Sequence, residues 1–342
     1  MRLIKISVIA GALLWIALSI FAQDGLRERM REMRQRRNQN SSSLPSNVPN
    51  TVQKSLEFDG VTRTFLVHTP PAYDGKKMLP LVLCFHGGLG SGKQMERTTG
   101  FSQLADRENF IVVYPDGINQ QWNDGRGTTF SGATTANDVG FVSALIADMQ
   151  KNYKIDARRI YATGVSNGGI FSHRLGVEMS DKFAAIATVV ANLPVDPKTA
   201  QPIAPGAGKT KPLSVLMING TDDTFVKWNG GRVRGSTGEV TSVAQTVLSW
   251  VKADGCRQTP QIENLPDKFP DDGTTVRRES YNGCKEGAEV VLYAIVGGGH
   301  GWHGSSSGGE RAGFIRNFTG NLSREINSTE VIWEFFKKHS KQ

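Results

Sequence analysis

Cysteine and histidine are scarce in this chain, and their scarcity excludes one class of site. The chain has three cysteines and six histidines in 342 residues, and no group of them has the spacing of a metal-binding motif. We therefore predict neither a metal ion nor another cofactor. The remaining composition, 38% hydrophobic and 21% charged, is that of a globular protein, and a chain of this length can bury a full core.

Long apolar runs are also absent, except at the start. Arg2 and Lys5 precede an apolar run of 16 residues, 6–21, and the small residue Ala22 follows it. This pattern predicts a secretory signal peptide over residues 1–22, and hence an extracellular or periplasmic protein. A membrane span needs about 20 apolar residues. An uncleaved anchor is thus the less favoured alternative, and we expect no stable membrane insertion after cleavage.

The formal net charge of +8 is concentrated at the start of the chain. The signal contributes two of these charges and the arginine-rich stretch 23–40 contributes three, which leaves +3 for the rest. A large domain with so small an excess does not require a nucleic-acid partner. We predict that residues 23–50 form a disordered basic linker. The alternative is an arm that contacts anionic cell-surface polymers.

From residue 51 onward, short apolar runs alternate with segments of helical periodicity. This alternation predicts one α/β domain over residues 51–342, with a mostly parallel sheet covered by helices on both faces. The predicted strands are 62–68, 79–85, 110–114, 159–163, 184–190, 213–218, 275–281 and 290–296. The predicted helices are 94–108, 138–153, 168–179, 241–253 and 327–339. We expect Asp138 to cap the second helix, and Asn327 with Glu330 to form a capping box on the last.

The sequence G-V-S-N-G at 164–168 lies between a predicted strand and a predicted helix. A nucleophile elbow requires that context, because its tight turn leaves no room for side chains at the two flanking positions. Ser166 would be held in a strained conformation with its hydroxyl exposed above the sheet, and the helix N-terminus would favour developing negative charge. We predict that Ser166 is a catalytic nucleophile. The alternative is a serine in an ordinary turn.

A serine nucleophile needs a histidine base, itself oriented by an acid. In this type of fold the acid and then the histidine follow the serine along the chain. Of the four histidines after Ser166 we favour His300, because it follows the last strand in a glycine-rich loop. His303 is the alternative, and His173 and His339 fall on predicted helices.

The acid is also expected directly after a strand. Strand 213–218 leads into N-G-T-D-D, in which Asp222 and Asp223 are adjacent. The pattern alone does not separate these two residues, and either of them could be a turn-forming aspartate.

The oxyanion of the reaction needs backbone donors. One is expected from the N–H of Asn167, directly after the nucleophile. The other is expected from the loop H-G-G-L-G after strand 79–85, where glycine lets the backbone approach a substrate closely. We predict that Gly88 supplies it, with Leu89 as the alternative. We assign His86 a structural role in fixing this loop.

Three tryptophans and three cysteines complete the candidate residues. Trp122, Trp228 and Trp302 are predicted to line a binding cleft, with core packing as the alternative. Cys256 and Cys284 lie 28 positions apart in one C-terminal region, and export permits a disulfide, so we pair them. Cys84 lies inside an apolar run and is predicted to be a buried free thiol.

These segments together resemble a known group of enzymes. The segments are L-V-L-C-F-H-G-G at 81–88, N-D-V-G-F-V at 137–142, R-R-I-Y-A-T-G-V-S-N-G-G at 158–169, N-G-T-D-D-T-F-V at 219–226 and G-G-G-H-G-W at 297–302. Over residues 55–340 the chain is similar to secreted polyhydroxybutyrate depolymerase-type esterases, close to the feruloyl and acetylxylan esterases of carbohydrate esterase family one. The resemblance implies an α/β-hydrolase fold.

The resemblance also bears on individual residues. The group carries its acid at the last position of a His-Gly-x-x-Asp motif, which Asn219 to Asp223 match with Asn in place of His, so the resemblance favours Asp223. It also supports the Cys256–Cys284 bridge. Two departures leave the substrate open: Trp302 is followed by His-Gly where the group commonly has Pro-Gly, and Val226 by Lys-Trp where it often has Pro-Tyr.

The resulting prediction is a secreted serine carboxylic-ester hydrolase that uses a Ser-His-Asp triad and an acyl-enzyme. Feruloyl or acetyl esters of plant polysaccharide are the favoured substrates. The alternatives are a polyhydroxyalkanoate depolymerase, a secreted serine peptidase on the same fold, and a carbohydrate-binding protein without catalytic activity.

Overall fold

The structure of the protein is a computed structural model that describes residues 48–129, 132–206, 211–305 and 319–341. The predicted signal peptide and nearly all of the predicted linker lie outside the described residues. The described residues belong to one compact unit, Asn47–Gln342. Within these ranges no helix combines the length and the apolar character that a membrane crossing needs.

The described part of the chain contains fourteen strands and six α-helices, besides three short 3-10 helices. The strands are β1 Thr51–Phe58, β2 Val61–His68, β3 Leu79–Phe85, β4 Ile111–Pro115, β5 Thr128–Thr129, β6 Gly132–Ala133, β7 Ile155–Val165, β8 Ala185–Val189, β9 Ser214–Gly220, β10 Gly231–Arg232, β11 Glu239–Val240, β12 Gln261–Asn264, β13 Thr275–Tyr281 and β14 Val290–Val296. The helices are α1 Gly92–Thr99, α2 Phe101–Glu108, α3 Asp138–Asn152, α4 Asn167–Glu178, α5 Val243–Ala253 and α6 Ser328–Phe336.

Ten of the strands form one sheet in the order β1-β2-β4-β3-β7-β8-β9-β14-β13-β12. The six central strands, β4 to β14 in that order, pair in parallel, and the strands outside them pair antiparallel. Every residue of β4, β8 and β9 is buried, as expected for strands covered on both faces. This arrangement confirms the predicted α/β fold with a mostly parallel sheet.

The helices cover both faces of the sheet, and each face has its own apolar cluster. On one face α3, α4 and α5 contribute Phe141, Phe171 and Trp250 to the core. On the other face α1, α2 and α6 contribute residues such as Met95 and Phe336. Burial of these large side chains supplies the main favourable free energy of folding.

The structure corrects three local predictions. The predicted helix 94–108 is two helices, because Gly100 has a left-handed φ of 67° that ends α1. Asn137, rather than Asp138, caps α3, with its side chain accepting from the N–H of Gly140. The edge strands β1 and β12 were not predicted, because neither of these strands is buried on both faces.

The predicted cysteine pairing is confirmed. Cys256 and Cys284 form a disulfide, and Cys84 is a buried free thiol in β3. The bridge joins the segment after α5 to the segment before β14. It therefore lies near the amino-terminal end of β14, whereas the loop that carries His300 follows the carboxyl end of this strand.

Candidate active site

Ser166 occupies the sharp turn between β7 and α4. Its backbone has φ 54° and ψ −121°, a conformation that costs free energy in a residue other than glycine. The Ser166 N–H donates to the carbonyl of Val189 at 3.0 Å, which ties the turn to β8. A Cβ atom on Gly164 would lie 2.6 Å from the main-chain carbon of Gly168, and one on Gly168 would lie 2.4 Å from the Phe85 carbonyl oxygen. Glycine is therefore required at both flanking positions.

Asp223 and His300 are directly hydrogen-bonded. His300 Nδ1 lies 2.7 Å from Asp223 Oδ2, and the Asp223 side chain is only 1% exposed. The other oxygen, Oδ1, accepts from the N–H groups of Phe225 at 2.7 Å and Val226 at 2.9 Å. An ionised carboxylate only accepts hydrogen bonds, so His300 Nδ1 donates. The lone pair of neutral His300 is then on Nε2, as a general base requires.

The loops that carry the acid and the base are bonded to each other. The N–H of Asp222 donates to the Gly298 carbonyl at 2.9 Å, and the Gly297 N–H donates to Thr221 Oγ1 at 2.9 Å. Because β9 and β14 are parallel neighbours, the residues after their carboxyl ends meet at the same edge of the sheet. The Asp222 side chain points elsewhere: it is exposed and accepts from the Thr221 hydroxyl.

The other histidines after Ser166 have different surroundings. His303 is buried, its Nδ1 accepts from the Ser323 N–H at 3.1 Å, and burial lowers its pKa to about 4. Burial also lowers the pKa of His173 to about 3, and Trp250 donates to its Nδ1 at 3.2 Å. His339 contacts Ser214 and Glu289 at the opposite edge of the sheet. Only His300 pairs with an acid in the loop after β9.

The glycine-rich loop after β3 lies beside the nucleophile. A Cβ atom on Gly87 would be 3.5 Å from the Ser166 Cβ. The Gly87 carbonyl accepts from His86 Nδ1 at 2.7 Å and from the Gly90 N–H at 3.1 Å. In a trans peptide the carbonyl and the next N–H point in opposite directions, so these two bonds also fix the direction of the Gly88 N–H.

The two candidates for the second oxyanion donor differ in this loop. The Leu89 N–H donates to the Gln120 carbonyl at 2.8 Å, so it is already used. Within the described part of the chain, the Gly88 N–H has no hydrogen-bond partner. This difference favours Gly88 over Leu89, although the role of either N–H in a reaction stays a prediction. Asn167 is the first residue of α4, where backbone N–H groups have no partner inside the helix.

His86 has the structural surroundings that its predicted role requires. It is 1% exposed, and burial lowers its pKa, which favours the neutral imidazole. The Gly117 N–H donates to Nε2 at 2.9 Å, so the single ring proton is on Nδ1, where it bonds Gly87. The hydrogen bonds at the two ring nitrogens together fix the tautomer of His86.

The prediction that Trp122 and Trp302 line a cleft is wrong, because both indoles are in the core. Trp122 has no exposed surface, stacks on Phe171 with ring centroids 5.3 Å apart, and donates to the His86 carbonyl at 3.0 Å. Trp302 is 3% exposed and donates to Thr329 Oγ1 at 2.9 Å. Trp228 is partly buried against the core, and its contact with substrate stays a prediction.

Phe225 is a site residue that the sequence patterns did not single out. Its ring stacks on the His300 imidazole with centroids 4.9 Å apart, and the Arg234 guanidinium lies 4.9 Å from the centre of the same ring. The only signal in the sequence was its position two residues after Asp223. Phe225 therefore forms one wall beside the proposed base.

Several known proteins that are similar to this chain carry the name esterase. Residues 64–194 match the family described as Esterase PHB depolymerase. The putative esterase NocK of Nocardia uniformis subsp. tsuyamanensis is 29% identical over 266 residues, which are 75% of each chain. Feruloyl esterase B of Piromyces equi is 32% identical over 248 residues, which are 70% of this chain and 42% of that protein. This chain thus matches less than half the length of the second relative.

A solved structure, described as a thermostable esterase, has a similar fold. It superposes with a TM-score of 0.52 over 85% of this chain and 64% of that chain, at 15% sequence identity. At this identity the likeness is evidence for the fold alone.

The sheet order, the elbow at Ser166 and this likeness define a protein of the α/β-hydrolase class. Within that class, the family match and the named relatives confirm the predicted resemblance to the polyhydroxybutyrate depolymerase-type and feruloyl esterase group. The predicted enzyme class, a carboxylic ester hydrolase, is confirmed with it.

Proposed function

We propose that this protein is a secreted serine esterase in which Ser166, His300 and Asp223 form the catalytic triad. The observation that carries this proposal is the 2.7 Å bond between Asp223 and His300, at the same sheet edge as the strained Ser166 turn. The chain order of serine, acid and histidine is the one found in α/β-hydrolases. The proposal also draws on the esterase relatives, and it needs neither a metal nor a cofactor.

In the proposed first half of the reaction, the Ser166 hydroxyl oxygen attacks the ester carbonyl carbon. His300 Nε2 takes the hydroxyl proton, and Asp223 stabilises the imidazolium that results. The carbonyl oxygen becomes an oxyanion, which the N–H groups of Asn167 and Gly88 bind. A single donor of this kind is typically worth about 3 kcal/mol in the transition state. Collapse of the tetrahedral intermediate breaks the ester bond, and His300 returns its proton to the leaving alcohol.

In the second half, a water molecule replaces the alcohol. His300 Nε2 takes a proton from the water as it attacks the acyl carbon, and the same two N–H groups bind the second oxyanion. Breaking the bond to Ser166 releases the carboxylic acid, and the proton on His300 returns to the serine oxygen. The enzyme is then ready for another turnover.

For the substrate, we propose feruloyl or acetyl esters of plant polysaccharide. The 32% identity to a feruloyl esterase supports this class, whereas the family described as Esterase PHB depolymerase supports polyhydroxyalkanoate polyesters as the second candidate. Turnover on methyl ferulate, acetylated xylan and a polyhydroxybutyrate film separates the two. Cleavage of peptide amides at a higher kcat/KM than any of these esters would favour a serine peptidase instead.

Labelling with a fluorophosphonate probe and hydrolysis of an activated ester test the triad. We expect Ser166→Ala to lose labelling and to lower kcat by about 10³-fold or more. Ser249→Ala removes a partly exposed helical hydroxyl that donates to the Gln245 carbonyl of its own helix, and it should label and hydrolyse like the wild type. If Ser166→Ala keeps near-wild-type activity, the proposed mechanism is wrong. Polysaccharide binding without labelling of the wild type would indicate a binding protein.

A further inference from the structure

The side chain of Asn167 belongs to a buried set of hydrogen bonds that the proposed reaction does not use. Its Oδ1 accepts from the Trp122 N–H at 2.8 Å, and its Nδ2 donates to the Trp122 carbonyl at 3.0 Å. Nδ2 also donates to Asp124 Oδ2 at 2.6 Å. A primary amide has two donor hydrogens and an acceptor oxygen, so these three bonds use both hydrogens and engage the oxygen. Asn167 is only 3% exposed.

Asp124, which accepts one of these bonds, is itself held by Arg126. The guanidinium donates to the same Oδ2 from Nε at 3.0 Å and Nη2 at 2.6 Å, and the Arg126 N–H donates to Oδ1 at 3.1 Å. Neither side chain is more than 2% exposed. A buried ion pair with satisfied hydrogen bonds rigidifies its surroundings, so Asp124 gives Asn167 an acceptor at a fixed position.

Trp122 connects the hydrogen-bonded set of Asn167, Asp124 and Arg126 to the loop after β3. Its indole N–H donates to the His86 carbonyl at 3.0 Å, and its ring lies 5.0 Å from the imidazole of His86. The His86 ring in turn fixes the direction of the Gly88 N–H, as described above. Trp122 thus contacts both elements that carry the proposed oxyanion donors: α4 through its main chain and the loop after β3 through its indole.

From these contacts we propose that the Asn167 side chain is a positioning group for the oxyanion hole. The inference rests on the proposed function. Asn167 holds Trp122 against the elbow, and Trp122 sets the separation between the N–H of Asn167 and the N–H of Gly88. Both donors must lie within about 2.7–3.1 Å of the developing oxyanion to act on it. One residue would therefore contribute a donor with its main chain and fix the geometry of both donors with its side chain.

The first test is Asn167→Ala, which keeps the N–H and removes all three side-chain bonds. We expect kcat on an activated ester to fall about 10- to 100-fold, because an error of about 1 Å in a catalytic group can cost that much. KM should change little, since the ground-state carbonyl depends less on the oxyanion donors. The matched control is Asn123→Ala, which removes one bond from the same loop to the Ala136 carbonyl and leaves the contact with the elbow intact.

The second test is Asn167→Asp, which puts a carboxyl group against Asp124. The charged groups in contact with this position are Asp124 and its partner Arg126. Next to Trp122 lie Arg63, which is paired with Asp138, and His86, whose lowered pKa favours the neutral ring. Two carboxyl groups in direct contact share a proton at low pH and repel when both are ionised. While it is protonated, the introduced carboxyl can still donate to Asp124, so the ratio of variant to wild-type kcat should rise as the pH falls from about 8 to about 5.

The outcomes separate the two proposals. If the wild type is active and Ser166→Ala is inactive, but Asn167→Ala keeps full kcat, only the positioning role is wrong. Equal kcat losses in Asn167→Ala and Asn123→Ala, or a pH-independent Asn167→Asp ratio, would also contradict that role. Should Asn167→Ala fail to fold, the pH ratio of Asn167→Asp decides. An active Ser166→Ala overturns the proposed function instead.

Discussion

The hydrogen bond between Asp223 and His300 fixes which nitrogen of the imidazole carries the proton. We expect Asp223→Asn to lower kcat by about 10⁴-fold, because the amide donates to Nδ1 and moves the ring proton to Nε2. The fold should be kept, since the asparagine carbonyl can still accept from the N–H groups of Phe225 and Val226. Kinetics together with thermal unfolding check both parts of this prediction.

Asp222→Asn is the matched control for that substitution. It changes the neighbouring exposed carboxylate, which contacts Thr221 rather than His300, and kcat should remain near the wild-type value. Equal losses of kcat in the two variants would show that the negative charge of this loop, and not the contact with the imidazole, controls the rate. The adjacent pair allows this comparison within a single loop.

At the scale of single residues, the order of motifs along the chain was enough to propose the catalytic residues. It was not enough to predict which tryptophans are buried, because burial depends on packing. The proposed roles of Ser166 and His300 follow from glycines and strands near them in the sequence. The burial of Trp122 and Trp302 depends on partners far along the chain, such as Phe171 and Thr329. Nothing local distinguishes an indole beside a glycine-rich loop that faces a cleft from one that enters the core.

At the scale of elements, the central strands were predictable because burial on both faces gives a continuous apolar run. Of these central strands, β3 and β14 have the predicted bounds. The edge strands β1 and β12 are stabilised by pairing with β2 and β13, and pairing leaves a weaker pattern in the sequence. The short hairpin of β10 and β11 was missed for the same reason.

The disulfide between Cys256 and Cys284 encloses β12 and β13, which form one edge of the sheet. We expect the double variant Cys256→Ala, Cys284→Ala to lower the free energy of unfolding by about 2–4 kcal/mol, since the bridge restricts the unfolded chain. The kcat should stay unchanged, because the bridge lies at the end of β14 opposite His300. Urea unfolding with and without dithiothreitol measures the first effect.

The double variant also serves as the control for the reductant. Dithiothreitol should destabilise the wild type by the same amount as the two substitutions and leave the variant unaffected. Destabilisation of the variant by dithiothreitol would mean that the reductant acts elsewhere. A loss of kcat in the reduced wild type would contradict the separation of the bridge from the site.

At the scale of the whole molecule, burial shifts the pKa values of several groups in opposite directions, lowering those of histidines and raising that of an aspartate. Burial lowers the pKa of His303 to about 4 and that of His173 to about 3, and it also lowers the pKa of His86. Burial raises the pKa of Asp254 to about 7. These shifts link the stability of the fold to pH.

Whether the free energy of unfolding rises or falls with pH depends on whether the folded or the unfolded chain binds more protons. As the pH falls from about 6.5 to 4, the histidines of the unfolded chain take up protons and the buried ones do not, which favours unfolding. Asp254 acts the other way, because its buried carboxyl already holds a proton that the unfolded chain releases above pH about 4. Three buried histidines outnumber one carboxyl, so we expect the free energy of unfolding to decrease over this range as the solution becomes more acidic.

Two substitutions change this pH dependence in opposite directions. His303→Asn keeps an acceptor for the Ser323 N–H and removes one histidine, so it should flatten the dependence by up to about 1.4 kcal/mol per pH unit. Asp254→Asn keeps an acceptor for the Leu213 N–H and removes the opposing carboxyl, so it should steepen the dependence. Urea unfolding at several pH values between about 4 and 7 measures both slopes. Slopes that shift in the same direction would contradict the assignment of a buried neutral histidine and a buried protonated aspartate to these positions.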